Sequence, residues 1–286
     1  MDRAGPLRPA ATLPALEGRT VLVTGANSGM GLAAALELAR REFDVVGTVR
    51  SPAKARTVRE AAEEADVEVK TALLDVTDPA ACARVIDRVR PFGLVNNAGT
   101  SFTGAVEDID EDQARAALET MTLAPMRLAR LALPHMRAGG GGRIVNISSI
   151  YGRTSTPLTG WYQGAKQALE GVSDALRMEV AGDGIHVVLV EPCAIETGLW
   201  GVADEDLDRP ESRYAEAYRR ARSGIQLTKP LMASAGAVAR VIATAMTARA
   251  PRPRYLVGPD AQIAAVLDRV APTWLSDRVK RLPLGL

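Results

Sequence analysis

Short apolar runs, separated by helical stretches of ten or more residues, recur along most of this chain, and no other feature limits its fold so strongly. The runs are Thr20–Thr24, Asp44–Val49, Glu68–Leu74, Gly93–Asn96, Arg143–Ile147 and His186–Val190, with a weaker one at Arg254–Val257. Helical patterns such as Leu32–Arg40, Gln113–Met136 and Gln163–Val180 lie between them. Runs this short, rich in Val and Ile, suit buried strands. Their alternation with helices argues for βαβ units and a parallel sheet. Right-handed crossovers then place helices on both faces. A chain of 286 residues buries such a sheet without disulfide or metal support. The expected class is α/β, a doubly wound parallel sheet in a single domain.

That domain is expected over residues 18–258. Residues 1–17 are rich in Ala and Pro and lack the roughly 7–15-residue apolar core of a secretory signal, so they read as a loose N-terminal arm. The segment 198–230 breaks the rhythm. It is polar, carries Tyr214 and Tyr218 and ends in Pro230, as befits a mobile lid or a long surface loop. Residues 259–286 read as a helical extension, an amphipathic helix plus tail whose apolar residues pack locally. Nothing approaches the roughly 20 apolar residues of a membrane span.

Charge and rare residues narrow the partners. With 35 Lys and Arg against 34 Asp and Glu, the net charge of +1 leaves no electrostatic footprint for nucleic acid or an anionic membrane. Cys82 and Cys193 are far apart and suit a reducing, cytoplasmic setting without a disulfide. His135 and His186 are the only histidines, too few for an ordinary zinc site, so no metal is expected.

Three motifs carry chemistry. Thr24-Gly25-Ala26-Asn27-Ser28-Gly29-Met30-Gly31 lies between the first strand and the first helix. Its glycines allow a sharp turn and a close approach to a pyrophosphate, while a helix N-terminus offers free N–H groups. Tyr162 and Lys166 are four apart on a helix and share a face, where an ammonium would favour the ionised phenol. Asn146-Ile147-Ser148-Ser149 ends a strand, and ligands of open α/β sheets bind beyond those carboxyl ends.

In this order the motifs resemble the short-chain dehydrogenase/reductase family, from about Gly18 to Val257. The family's Thr-Gly-x-x-x-Gly-x-Gly is met by Thr24, Gly25, Gly29 and Gly31, its Asn-Asn-Ala-Gly by Asn96 to Gly99, and its Tyr-x-x-x-Lys by Tyr162 and Lys166, with Ser149 thirteen residues earlier. The resemblance implies a Rossmann-like fold and a reaction between a nicotinamide and a ketone, aldehyde or secondary alcohol. Ser149, Tyr162 and Lys166 would be catalytic: Tyr162 as acid/base, Ser149 holding the substrate oxygen, and Lys166 binding the nicotinamide ribose and keeping the phenol acidic. The cofactor would contact the turn at Gly25, Asn27, Ser28, Gly29, Met30 and Gly31, then Asp75 and Val76, Asn97, Ile195 and Thr197. The segment 198–230 would be the variable substrate lid, with Leu199, Trp200, Leu207, Tyr214 and Tyr218 as apolar points. A homodimer or homotetramer through the two long helices is implied.

Arg50, at the end of the second strand, stands where NAD-specific relatives carry an acid; a guanidinium there suits the 2′-phosphate of NADP, so NADPH is expected over NADH. Two positions depart from the pattern. Met121 replaces an asparagine that holds a relay water in relatives, and Cys193 replaces a glycine after Pro192, where it reads as a small filler. The departures leave an alternative: the same fold without net redox turnover, as an isomerase, a lyase or a dinucleotide-sensing binding protein. NADPH consumption with a panel of ketones separates the two.

Overall fold

A computed structural model describes residues 18–100, 103–193, 195–196, 206–228, 232–258 and 271–286. The expected arm at 1–17, Thr197, Leu199, Trp200 and parts of both the lid and the C-terminal extension lie outside them.

The chain alternates as its sequence predicts: β1 (Thr20–Thr24), α1 (Gly29–Arg40), β2 (Asp44–Val49), α2 (Pro52–Glu64), β3 (Val69–Leu73), α3 (Pro79–Val89), β4 (Gly93–Asn96), α4 (Glu111–Leu118), α5 (Ala124–Ala138), β5 (Gly142–Ile147), α6 (Gly160–Glu179) and β6 (Ile185–Pro192). Then come β7 (Ile195–Glu196), α7 (Ala215–Thr228), β8 (Ala233–Ser234), α8 (Ala235–Thr247), β9 (Arg254–Val257) and α9 (Thr273–Arg281). Seven parallel strands form one sheet in the order β3-β2-β1-β4-β5-β6-β9, and β7 pairs with β8 beside it. This is a Rossmann-like single domain.

Strand alternation sorts the core into two layers. Val21 and Val23 face a layer with Leu38 of α1 and Val238, Ile242 and Met246 of α8. Leu22 faces the other way, onto Ile86 of α3 and Leu128 and Met136 of α5. Each such side chain contributes about 1.5–3 kcal/mol on full burial. Every residue of β5 is buried, as helices on both faces require, whereas the edge strand β3 exposes Leu73.

Helix starts follow local chemistry. Asp78 caps α3 ahead of Pro79, Asp110 and Gln113 form a capping box on α4, and Ser51 caps α2. At α1 Ser28 makes no side-chain cap bond and the first turn holds no acid. The helical reading Gln113–Met136 is interrupted: Glu119–Leu123 forms a π-helical turn between α4 and α5, with Met121 inside it.

The C-terminal reading holds in part. Leu284 packs against the cluster around Leu207 and Tyr218, but no residue of α9 is buried, and Trp274, Leu275, Val279 and Leu282 are exposed rather than packed locally. The polar side of the helix faces the body of the protein: Ser276 and Lys280 are half-buried, and Lys280 Nζ donates to Thr154 Oγ1 at 2.7 Å.

Candidate active site

The sheet's order reverses between β1 and β4, which opens a crevice at their carboxyl ends. Asn97 ties its two sides together. Its N–H donates to Thr24 Oγ1 at 2.9 Å, and its Nδ2 donates to the carbonyls of Thr24 and Gly25 at 2.9 and 3.2 Å. Gly25 and Gly29 turn the chain at φ +65 and +53. A Cβ on Gly31 would sit 2.3 Å from both Asn97 Nδ2 and the Gly25 carbonyl oxygen, so only glycine fits there. Around this turn Asn27 and Met30 are half-buried and Ser28 is exposed, while the uncapped α1 start offers its N–H groups. Farther along the same edge, Arg50 is exposed at the end of β2. The hydroxyl and N–H of Thr77, with Arg50 contributing, hold the Asp75 carboxyl below its usual range. Val76 is buried, and its carbonyl accepts from Arg127 Nη1 at 2.9 Å.

Beyond β5, Ser149 stands in extended backbone as the cap of a short 3₁₀ turn. Its hydroxyl donates to the Pro192 carbonyl at 3.4 Å, accepts from Tyr151 N–H at 3.2 Å, and lies close enough to the Tyr162 phenol to favour its ionised form. Tyr162 opens α6, with Tyr151 edge-on at 6.2 Å between ring centroids. One turn on, Lys166 Nζ is buried, donates to the Ile147 carbonyl at 2.7 Å, and lies 5.8 Å from the Tyr162 ring centroid. Burial pushes the phenol up to about 12 despite the nearby Ser149 hydroxyl. It also pushes the ammonium down to about 8. Desolvation penalises both charged forms and dominates both shifts, while the ammonium donates to a backbone carbonyl. Ile195, on β7 just past β6, is buried in the core layer that also holds Val190 and Val257.

A family model for the short chain dehydrogenase matches residues 19–208. The chain belongs to the short-chain dehydrogenase family. It is 36% identical, over 73% of its length and 77% of the relative's, to an uncharacterized oxidoreductase of Bacillus subtilis, YusZ. It is 29% identical, over 95% of its length and 98% of the relative's, to a 3-ketodihydrosphingosine reductase of Bacteroides thetaiotaomicron. The crystal structure of L-sorbose reductase from Gluconobacter frateurii complexed with NADPH and L-sorbose superposes with a TM-score of 0.73 at 28% identity, covering 85% of this chain and 96% of that one.

As a short-chain dehydrogenase the protein is an oxidoreductase that uses a nicotinamide dinucleotide. The crevice fits that group: the glycine turn excludes any Cβ at Gly31, and the α1 start is neither capped nor acidic. In this short-chain dehydrogenase Met121 is buried with Ala117 and Ala165 and packs against Tyr162, so the position is apolar where relatives place an amide. Cys193 is half-buried, and its N–H donates to the Val257 carbonyl at 3.1 Å.

Sequence reasoning missed three things. One is Tyr151, which no spacing rule links to Tyr162. Another is a buried charge network behind the site: Glu191, fully buried, pairs with Arg153 and with Arg254 Nε at 3.1 Å, and Arg254 also reaches Glu170 at 3.0 Å and Asp174 at 2.6 Å. Glu170 lies one turn beyond Lys166, and burial together with Glu191 pushes its carboxyl above the ordinary range. The third is the role of the lid residues Leu207 and Tyr218. They are buried against Ala105 and Leu158 rather than presented to a substrate, and Tyr218 Oη donates to Asp108 Oδ2 at 2.7 Å while accepting from Ala105 N–H at 2.7 Å.

Proposed function

We propose that the protein is an NADPH-dependent carbonyl reductase, equally an alcohol dehydrogenase in reverse, with Ser149, Tyr162 and Lys166 as its catalytic residues. The observation that carries the reading is the Ser149 hydroxyl just past β5, the Tyr162 phenol close to it in the first turn of α6, and a buried Lys166 one turn further on. A phenol pushed up to about 12 is a protonated donor at neutral pH. A reduced nicotinamide, when bound, supplies the hydride to the carbonyl carbon. Tyr162 gives its proton to the carbonyl oxygen, and the Ser149 hydroxyl donates a hydrogen bond to the same oxygen. Lys166, an ammonium poised near 8, holds the nicotinamide ribose and compensates the phenolate left behind.

The turn at Gly25, Asn27, Ser28, Gly29, Met30 and Gly31 would hold the pyrophosphate, Asp75, Val76 and Asn97 the adenosine, and Ile195 with Thr197 the carboxamide. Arg50, exposed at the end of β2 with no acid next to it in sequence until Glu60, supports NADP over NAD. The NADPH in the L-sorbose reductase structure is consistent with that choice. Exposed Leu123, Val172 and Met178 on or beside the long helices support a homo-oligomer. The test is Tyr162→Phe. Turnover with a ketone panel should fall on the order of 10² to 10⁴ while NADPH affinity, read by calorimetry, stays nearly unchanged. A near-wild-type kcat would overturn the mechanism.

A further inference from the structure

A surface helix of a water-soluble domain normally turns its apolar stripe inward. Helix α9 does the reverse. Among the described residues ten large apolar side chains are exposed, and five of them, Trp274, Leu275, Val279, Leu282 and Leu286, crowd into residues 274–286. Leu275, Val279 and Leu282 fall at i, i+4 and i+7, one face of the helix and the turn that continues it. Trp274, Arg278 and Arg281 follow the same spacing in the adjacent row. Trp274 is 69% exposed, Leu282 63% and Val279 61%. The inward side carries Ser276 and Lys280, bonded to Thr154, followed by Leu284 packed near Tyr218.

We propose that this face docks on the surface of an anionic lipid bilayer. An apolar stripe edged by a tryptophan and cations is the composition of a helix lying in the membrane interface. Arg278 and Arg281 are exposed and pair with no carboxylate among the described residues, while Asp277 is the only acid on the helix. A second copy of this chain is the rival occupant, which sedimentation distinguishes below. The contact is peripheral: no described helix is long and apolar enough to cross a membrane. Overall net charge near zero gave no hint of it, because the cations are local to one helix. The Lys280–Thr154 bond sets α9 beside the segment between β5 and α6 that carries Ser149, so docking brings the rim of the catalytic cleft to the lipid. The docking stands apart from the reaction proposed above and is tested without it.

The full chain is floated with vesicles of phosphatidylcholine alone and of phosphatidylcholine with a third phosphatidylglycerol, in low and near-molar salt. Binding to the anionic vesicles, weaker on phosphatidylcholine and released by salt, is expected. Each cation near such a surface is worth about fivefold in partitioning, so Arg278→Glu with Arg281→Glu should weaken binding at least about 25-fold. Trp274→Ser with Val279→Ser should weaken it about tenfold or more. All four side chains are exposed, so thermal melts should match wild type. Absence of binding by the wild type, or wild-type binding by the charge-reversed variant, overturns the proposal. So does sedimentation showing that the face is covered by self-association which Trp274→Ser with Val279→Ser abolishes.

Discussion

Replacing Arg254 by Met tests the buried charge network. In the wild type one guanidinium serves three carboxylates: Glu170 at 3.0 Å, Asp174 at 2.6 Å and Glu191 at 3.1 Å. Glu191 is fully buried and Glu170 nearly so, with side-chain exposures of 0% and 8%. Arg153 still pairs with Glu191 in the variant, but Glu170 loses its ion pair with Arg254. Removing one member of a buried pair costs about 3–5 kcal/mol, because the remaining charge stays desolvated. A third of the Asp174 side chain is exposed, so that pair adds little to the sum. Urea unfolding at constant m should therefore show a loss of about 3–4 kcal/mol near pH 8. The sign of its pH dependence follows from Glu170. Burial and Glu191 already raise its folded-state pKa, and without Arg254 it rises further above the unfolded value. The folded variant then binds more protons than the unfolded chain between those two values, so stability falls as pH rises through that window. The deficit should be larger at pH 8 than at pH 5, and adding Glu170→Gln to the variant should recover part of it. A loss below about 1 kcal/mol, or a loss that does not change with pH, would refute the reasoning.

Gly31→Ala should lower stability by about 1–3 kcal/mol and nicotinamide dinucleotide affinity at least tenfold, since its Cβ would press to 2.3 Å from the Asn97 amide and the Gly25 carbonyl; calorimetric titration reads both cofactors. Arg50→Asp should erase or reverse the preference for NADPH over NADH, and tighter NADH binding by the wild type would show that Arg50 serves another purpose. Met121→Asn buries an amide against Ala117, Ala165 and Tyr162, so it should cost about 1–3 kcal/mol in unfolding while altering kcat and its pH profile with little change in cofactor affinity. A wild type that transfers no label from deuterated nicotinamide to any ketone would favour the non-redox alternative instead.

Most of the fold was legible because its signals are local. Apolar runs at Thr20–Thr24, Asp44–Val49 and Gly93–Asn96 coincide with β1, β2 and β4, since period and turn residues act over a few positions. The spacing of Gly25, Gly29 and Gly31, of Tyr162 and Lys166, and of Ser149 likewise survives into neighbouring positions in space. Energetics did not. Tyr162 and Lys166 share a helix face as their spacing requires, yet burial by other elements is what pushes the phenol up and the ammonium down. The π-helical turn around Met121, the edge contact of Tyr151, and the meeting of Glu170, Glu191 and Arg254 from α6, β6 and β9 depend on packing between distant segments. Amphipathicity at Thr273–Arg281 was readable from the sequence, but which side faces water was not. Periodicity defines two faces of a helix, and only the partner it meets, here Thr154 reaching the polar one through Lys280, decides which is turned outward.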